Sequence, residues 1–404
     1  MALGIWFLVL ETALPAWALG PYKGPKPPWN YEGFSSFPAF YFGANESGLE
    51  NASWLPFVAQ HQVAGWGWQQ NYHSVGSDRW QYFQQEVSLA QMASRMATYM
   101  EITPPSPQKR LQALFVYRHL EVAEWYFTTS AAAFHDPNNR DMFLHNKDGK
   151  ICWDNFDNSG PYWNFSNPRV SEWFLNEVAA EIIREANVQA VFFDETDYLY
   201  CGGTAGNCSA DVHTGAEGLA QYRAKLQLLR SLAVKLNAKN VWPIYSSYNG
   251  YSDLPWRKCV MPFDEYYTTL QDVGWIRFYE FGIGATSPSP SWDSQATLAQ
   301  AMRESELGLP VMVRAQPHGS SGALLPLGLF LLVQTDFWYL GISTGWLDEN
   351  WKWWSEYDKL YGRPLGPAEL LSDGWYRSFQ RCKVFVSKDL SSANITFTDG
   401  LVII

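Results

Sequence analysis

The sequence predicts a closed (β/α)8 barrel, the TIM-barrel fold of the α/β class, followed by a small C-terminal antiparallel β appendage. Three observations lead there. Short apolar runs that end in polar or aromatic residues alternate with longer stretches of helical period. About eight such units fit within roughly 300 residues, the count and length of a parallel sheet closed on itself. After residue 370 the rhythm changes to short alternating segments. The rival is an open doubly wound sheet, but no Gly-rich phosphate fingerprint follows an early strand.

Met1 to Ala18 (residues 1–18) reads as a signal peptide. Gly4 to Leu10 is mostly apolar, and Ala16-Trp17-Ala18 has the small-x-small form that signal peptidase cuts after. The leader lacks Lys and Arg, and Glu11 interrupts it, so a membrane-bound start or an ordinary N-terminal segment is the alternative. Residues 19–35 hold four Pro and are expected to form an extended arm. The barrel should occupy residues 36–370, with strands at Ala39–Gly43, Val63–Trp68, Leu111–Tyr117, Ala190–Phe193, Val241–Ser246, Val260–Tyr266, Pro310–Val313 and Trp338–Ile342. Helical patterns run over Asp78–Met100, Arg169–Ala186, Gly218–Leu236, Trp292–Leu307 and Leu324–Asp336. Residues 371–404 should form the appendage, with strands at Trp375–Phe379, Val384–Ser387 and Ile395–Phe397.

Composition narrows the function. Of 404 residues, 47% are hydrophobic and 17% charged, which excludes general disorder. A net charge of -11 argues against nucleic acid, whose phosphates need a basic stripe, and favours neutral substrates. Permanent membrane insertion needs about 20 apolar residues, and Leu324 to Leu332 is too short. The 21 Trp, 22 Tyr and 24 Phe fill a large core or line a sugar cleft, because an aromatic face matches the C–H face of a pyranose. Sequons at Asn45, Asn51, Asn164, Asn207 and Asn394 agree with secretion and N-glycosylation. Cys201 and Cys208 bracket a Gly-rich loop that they can close as a ring. The five cysteines leave at least one unpaired within the chain. No Cys/His cluster has zinc spacing, and no cofactor is expected.

The candidate chemistry lies at strand ends. QAVFFDETDYLYCGG (189–203) ends a buried run abruptly in Asp194, Glu195 and Asp197. At the carboxyl face of a barrel such side chains point into an open mouth. Alternation puts Asp194 on one face and Glu195 on the other, so Asp194 is favoured, with Glu195 its neighbour or substitute. A second acidic strand end is expected at Asp264 and Glu265, and a third at Glu280. Glycoside hydrolysis needs two facing carboxyls, one to donate a proton and one to attack carbon or activate water. Asp194 with Asp264 is the expected pair, Glu265 standing in for Asp264. Arg118, His119, Tyr248, Asn249 and Arg314 follow strands as binding candidates, and Trp66, Trp68, Trp163, Trp338 and Trp346 are the expected sugar platforms.

YWNFSNPRVSEWFLNEV (162–178), followed by VQAVFFDETD, resembles uncharacterised glycoside-hydrolase-like (β/α)8 barrels, in which a Trp/Asn-Pro helix start precedes the fourth strand and its terminal acid. GISTGWLDENWKWWSEYDKLYGRPLGPAE (341–369) resembles their last barrel segment, and WYRSFQRCKVFVS (375–387) their short C-terminal strands. The resemblance covers residues 36 to 398 and implies the barrel and activity on glycosidic bonds. It carries over Asp194 as the strand-four acid and, more loosely, Asp264. The expected protein is therefore a secreted glycosidase acting on an oligo- or polysaccharide. The alternative is a carbohydrate-binding barrel without catalysis.

Overall fold

The computed structural model describes residues 19–29, 36–43, 52–67, 85–107, 109–154, 160–196, 215–246, 263–280, 295–317, 322–346, 350–398 and 402–403. Eight parallel strands follow one another in sequence order: β1 (Phe40–Gly43), β2 (Val63–Trp66), β3 (Ala113–His119), β4 (Ala190–Asp194), β5 (Trp242–Ser246), β6 (Ile276–Glu280), β7 (Val311–Ala315) and β8 (Trp338–Ile342). A parallel bridge between Ala39 and Leu340 brings β8 back to β1 and closes the barrel. Around it run α1 (Leu55–Val58), α2 (Gln85–Ile102), α3 (Thr128–His135) and a rod of α4 (Pro168–Trp173), a π-turn (Phe174–Val178) and α5 (Ala179–Arg184). The ring continues with α6 (Gly215–Asn237), α7 (Phe263–Leu270), α8 (Gln295–Leu307) and α9 (Leu324–Val333). Among the described residues no helix is long and apolar enough to cross a membrane.

One predicted strand is corrected. The described part of Val260–Tyr266 belongs to α7, and the sixth strand is Ile276–Glu280. In α7 the buried residues Phe263, Tyr266, Tyr267 and Leu270 recur at three- and four-residue spacing, a helical stripe that reads as a strand when cut short. The acids of its first turn, Asp264 and Glu265, favour a helix start because they complement the positive end of the helix dipole.

The barrel interior is an aromatic plug. Phe42 meets Phe192, Phe115 and Phe278 at ring distances of 4.7, 4.9 and 5.8 Å, and Phe192 meets Phe278 at 4.9 Å. Gly65 makes room for it, since a Cβ there would lie 2.3 Å from the Phe115 ring. These contacts fix the parity of each strand: residues level with the phenylalanines, and two beyond them, face the axis. The amino end is stoppered by the arm, where the Trp29 ring meets Trp242 edge-on at 6.0 Å and its carbonyl accepts from the Tyr339 hydroxyl (2.5 Å).

The C-terminal sheet runs in the order β13-β12-β11-β10-β9, all antiparallel: β9 (Glu369–Leu370), β10 (Gly374–Ser378), β11 (Cys382–Ser387), β12 (Ala393–Phe397) and β13 (Val402–Ile403). It covers α9, all ten of whose residues are buried. The approach is close, since a Cβ on Gly328 would come 2.7 Å from that of Ala393.

Candidate active site at the carboxyl ends of the strands

Phe192 and Phe278 fill the interior, so Asp194 and Glu280, each two residues further along, face the axis at the ends of β4 and β6. They are close enough that the charge of Asp194 helps to raise the pKa of Glu280. Burial pushes the Glu280 carboxyl up to about 7, against the opposing pull of Arg314. Arg314 Nη1 donates to Glu280 Oε1 (3.1 Å), its Nε donates to Ser343 Oγ (3.0 Å), and its guanidinium lies 3.9 Å from the Trp346 ring centre.

Both oxygens of Asp194 accept hydrogen bonds. The Tyr117 hydroxyl donates to Oδ2 (3.1 Å) and the Glu195 backbone N–H to Oδ1 (2.9 Å). Donors on both oxygens fix the plane of the carboxyl group. Glu195 escapes the alternation of the strand. Its φ is 52°, a left-handed turn that brings its Oε2 to 3.6 Å from Nε2 of His119, the last residue of β3. Burial, reinforced by Asp194 and Glu121, holds the Glu195 carboxyl well above the usual carboxylate range.

Burial lowers His119 to about 4, so it is neutral at physiological pH. The Val122 N–H donates to Nδ1 (3.1 Å), which leaves the proton on Nε2. Around it the segment after β3 supplies Glu124, 4.0 Å from Nε2, and Asp154, whose Oδ1 accepts from the Tyr162 hydroxyl (3.1 Å). Lys225 of α6 pairs with buried Glu121 and donates to the Glu195 carbonyl (2.6 Å). Among the described residues no cluster of His, Cys, Asp and Glu could hold a metal ion.

The structure brings together Asp194, Glu195, Glu280, Arg314 and Trp346, and the expected partner of Asp194 lies elsewhere. Asp264 sits on α7 in the outer layer, with Oδ1 bound by Arg303 Nη2 of α8 at 2.7 Å, and Glu265 is beside it on the same turn. Arg118 points outward, pairs with Glu181 and stacks 4.4 Å from the Phe127 ring centre. Trp66, Trp163 and Trp338 are at most 1% exposed and offer no face to a ligand. Trp338 opens β8 at the far end of the barrel, where its indole N–H donates to the Leu309 carbonyl (3.0 Å). Trp68, Asp197, Tyr248 and Asn249 lie outside the described residues, as do the leader, three of the five sequons and Cys201, Cys208 and Cys259.

Tyr117, Glu121, Asp154, Tyr162 and Lys225 were not legible as site residues. Two carried a signal. Tyr117 shares strand parity with His119, and Lys225 stands on the apolar stripe of α6 that continues through Leu229, Leu232 and Leu236.

A family model described as hypothetical glycosyl hydrolase family 15 matches residues 117–383. No curated protein matches the chain. Among solved structures, a GH31-family sulfoquinovosidase from E. rectale, in complex with an aza-sugar inhibitor, is similar at 10% identity and a TM-score of 0.50. The match covers 83% of this chain and 46% of that one, so this chain spans less than half its length. The alpha-N-acetylgalactosaminidase NagBb from Bifidobacterium bifidum, as a quadruple mutant, is similar at 9% identity and a TM-score of 0.46, over 90% of this chain and 57% of that one. The sulfoquinovosidase shares the barrel architecture; at this identity the likeness concerns the fold alone.

Proposed function

This chain belongs to hypothetical glycosyl hydrolase family 15, and we propose that it hydrolyses an O-glycosidic bond in a neutral or weakly charged oligo- or polysaccharide. One observation carries the reading. Asp194 and Glu280 face the axis at the mouth of the barrel, one held by two donors and the other pushed up to about 7. Glycoside hydrolysis needs two such carboxyls, one of them a proton donor, and the raised pKa of Glu280 suits it to that role. Asp194 is the nucleophile or base. Glu280 replaces Asp264 as proton donor to the leaving oxygen, and Arg314 orients it. Among the described residues, Trp346 is the expected platform that is half-buried beside the acids, and it flanks the sugar.

Secretion is part of the same proposal. The leader and the five sequons support it, and so does a disulfide at Cys152, a bond that persists in oxidising compartments.

The test is a panel of nitrophenyl and methyl glycosides. Asp194→Asn is expected to lower kcat about 10²–10⁴-fold on any substrate cleaved. Glu280→Gln should lose far more on methyl than on nitrophenyl glycosides, because nitrophenolate leaves without a proton. The activity of the wild type should decline above about pH 7, as Glu280 gives up its proton. Equal losses on both substrate types would remove Glu280 as the acid. Sugar binding without turnover would leave a carbohydrate-binding barrel.

A further inference from the structure

Asp194 owes half of its hold, the bond to Oδ1, to the residue that follows it. Glu195 has a φ of 52°, a left-handed backbone unfavourable for any residue that carries a Cβ. The turn aims the Glu195 N–H at Asp194 Oδ1 (2.9 Å) and swings the Glu195 carboxyl over the mouth toward His119. A conformation of this kind persists only where its surroundings over-determine it. The flanking backbone is tied. The Asp194 carbonyl accepts from the Leu120 N–H (3.2 Å), and the Thr196 N–H donates to the Ser246 carbonyl (3.3 Å).

The middle of the turn is gripped from α6. Lys225 Nζ donates to the Glu195 carbonyl at 2.6 Å. This lysine is 0% exposed, pairs with Glu121 and lies 5.3 Å from the Phe165 ring centre. Leucine or methionine would pack the same position on the helix without burying a charge, which is costly unless its hydrogen bonds serve a purpose. Here one of them ends on the strained carbonyl.

We propose that Lys225 is a positioning residue for Asp194, holding Glu195 in the left-handed turn that keeps the Asp194 carboxylate fixed at the mouth. The inference rests on the reading of Asp194 as nucleophile or base. The double variant Lys225→Met with Glu121→Gln removes the grip without leaving a buried charge unpaired. In its crystal structure φ at Glu195 should turn negative and the bond from its N–H to Asp194 should be lost, with the melting temperature little changed. On any nitrophenyl glycoside that the wild type cleaves, kcat should fall at least tenfold at unchanged KM.

Adding Glu195→Gly to the double variant should restore both the turn and the contact with Asp194, because glycine adopts positive φ freely. A φ near 52° in the double variant would overturn the proposal and leave Lys225 a partner in a buried ion pair. If the double variant fails to fold and the triple variant folds, the grip is supported. Failure of both makes Lys225 a core residue and overturns it. A wild type inactive on every glycoside would sink the proposed hydrolysis, while φ at Glu195 would still decide the role of Lys225.

Discussion

His61 is 1% exposed and sits among the rings of Tyr41, Phe57 and Trp353 at 5.7, 5.1 and 5.3 Å. Burial lowers its pKa from 6.5 to about 4, so the unfolded chain takes up a proton at a pH where the folded one refuses it. The neutral form is favoured inside, and stability is lost as pH falls from 6.5 toward 4. His61→Gln removes this titration. Chemical denaturation of both proteins should show the wild type losing about 2 kcal/mol more than the variant between pH 7.5 and pH 5; parallel curves would mean that His61 is protonated in the folded state. Glu304 makes the opposite kind of residue-scale case. It is 0% exposed, pairs with the equally buried Arg277 and accepts from the Tyr279 hydroxyl and Gln300. Glu304→Ala would take its paired carboxylate from a buried guanidinium and should cost about 3–5 kcal/mol, read as a lower midpoint in urea. Neither environment was legible from the sequence, because a lone His or Glu carries no mark of what surrounds it.

At the scale of elements, α9 shows what the C-terminal sheet is for. Its ten residues, LLPLGLFLLV, are apolar all round, and such a helix must be covered on every side. The barrel covers one side, and β10, β11 and β12 cover another. Arg377 of β10 ties the two together. Its Nη1 donates to the carbonyls of Leu331, Leu332 and Gln334 at 2.9–3.0 Å, where the helix ends and no further turn supplies donors. Arg377→Ala should destabilise by about 2–4 kcal/mol, and Arg377→Lys should recover only part of this, since one ammonium cannot copy the fork of a guanidinium. A melting temperature unchanged by Arg377→Ala would show that water satisfies those carbonyls. The sequence showed the alternation of these strands and the greasiness of the helix, but not that one was the lid of the other.

For the whole molecule, the same contacts mean that residues 371–404 are expected to be part of the folding unit rather than a separable tail. A chain ended at residue 370 would expose the outer face of α9 and should be recovered insoluble; a soluble, cooperatively melting product would show that the barrel stands alone. The course of the strands was readable because short apolar runs repeat along the chain, and that pattern is local. Seven of the eight barrel strands lie where the pattern puts them, and the exception, Val260–Tyr266, failed because a helical stripe too short to show its period resembles a strand. The acid at the end of β4 was readable for the same reason, as an abrupt change at the end of an apolar run. The partner proposed for it was not. Choosing Glu280 over Asp264 depends on which strand, in which register and at which parity, reaches the mouth opposite Asp194. By itself the sequence determined the barrel, the β appendage and the place of an acid at the end of the fourth strand, because each is written in neighbouring residues. Only the tertiary structure decided which carboxyls face each other, which tryptophans are core and which lysine reaches the strained turn, because these follow from distances between segments far apart in the chain.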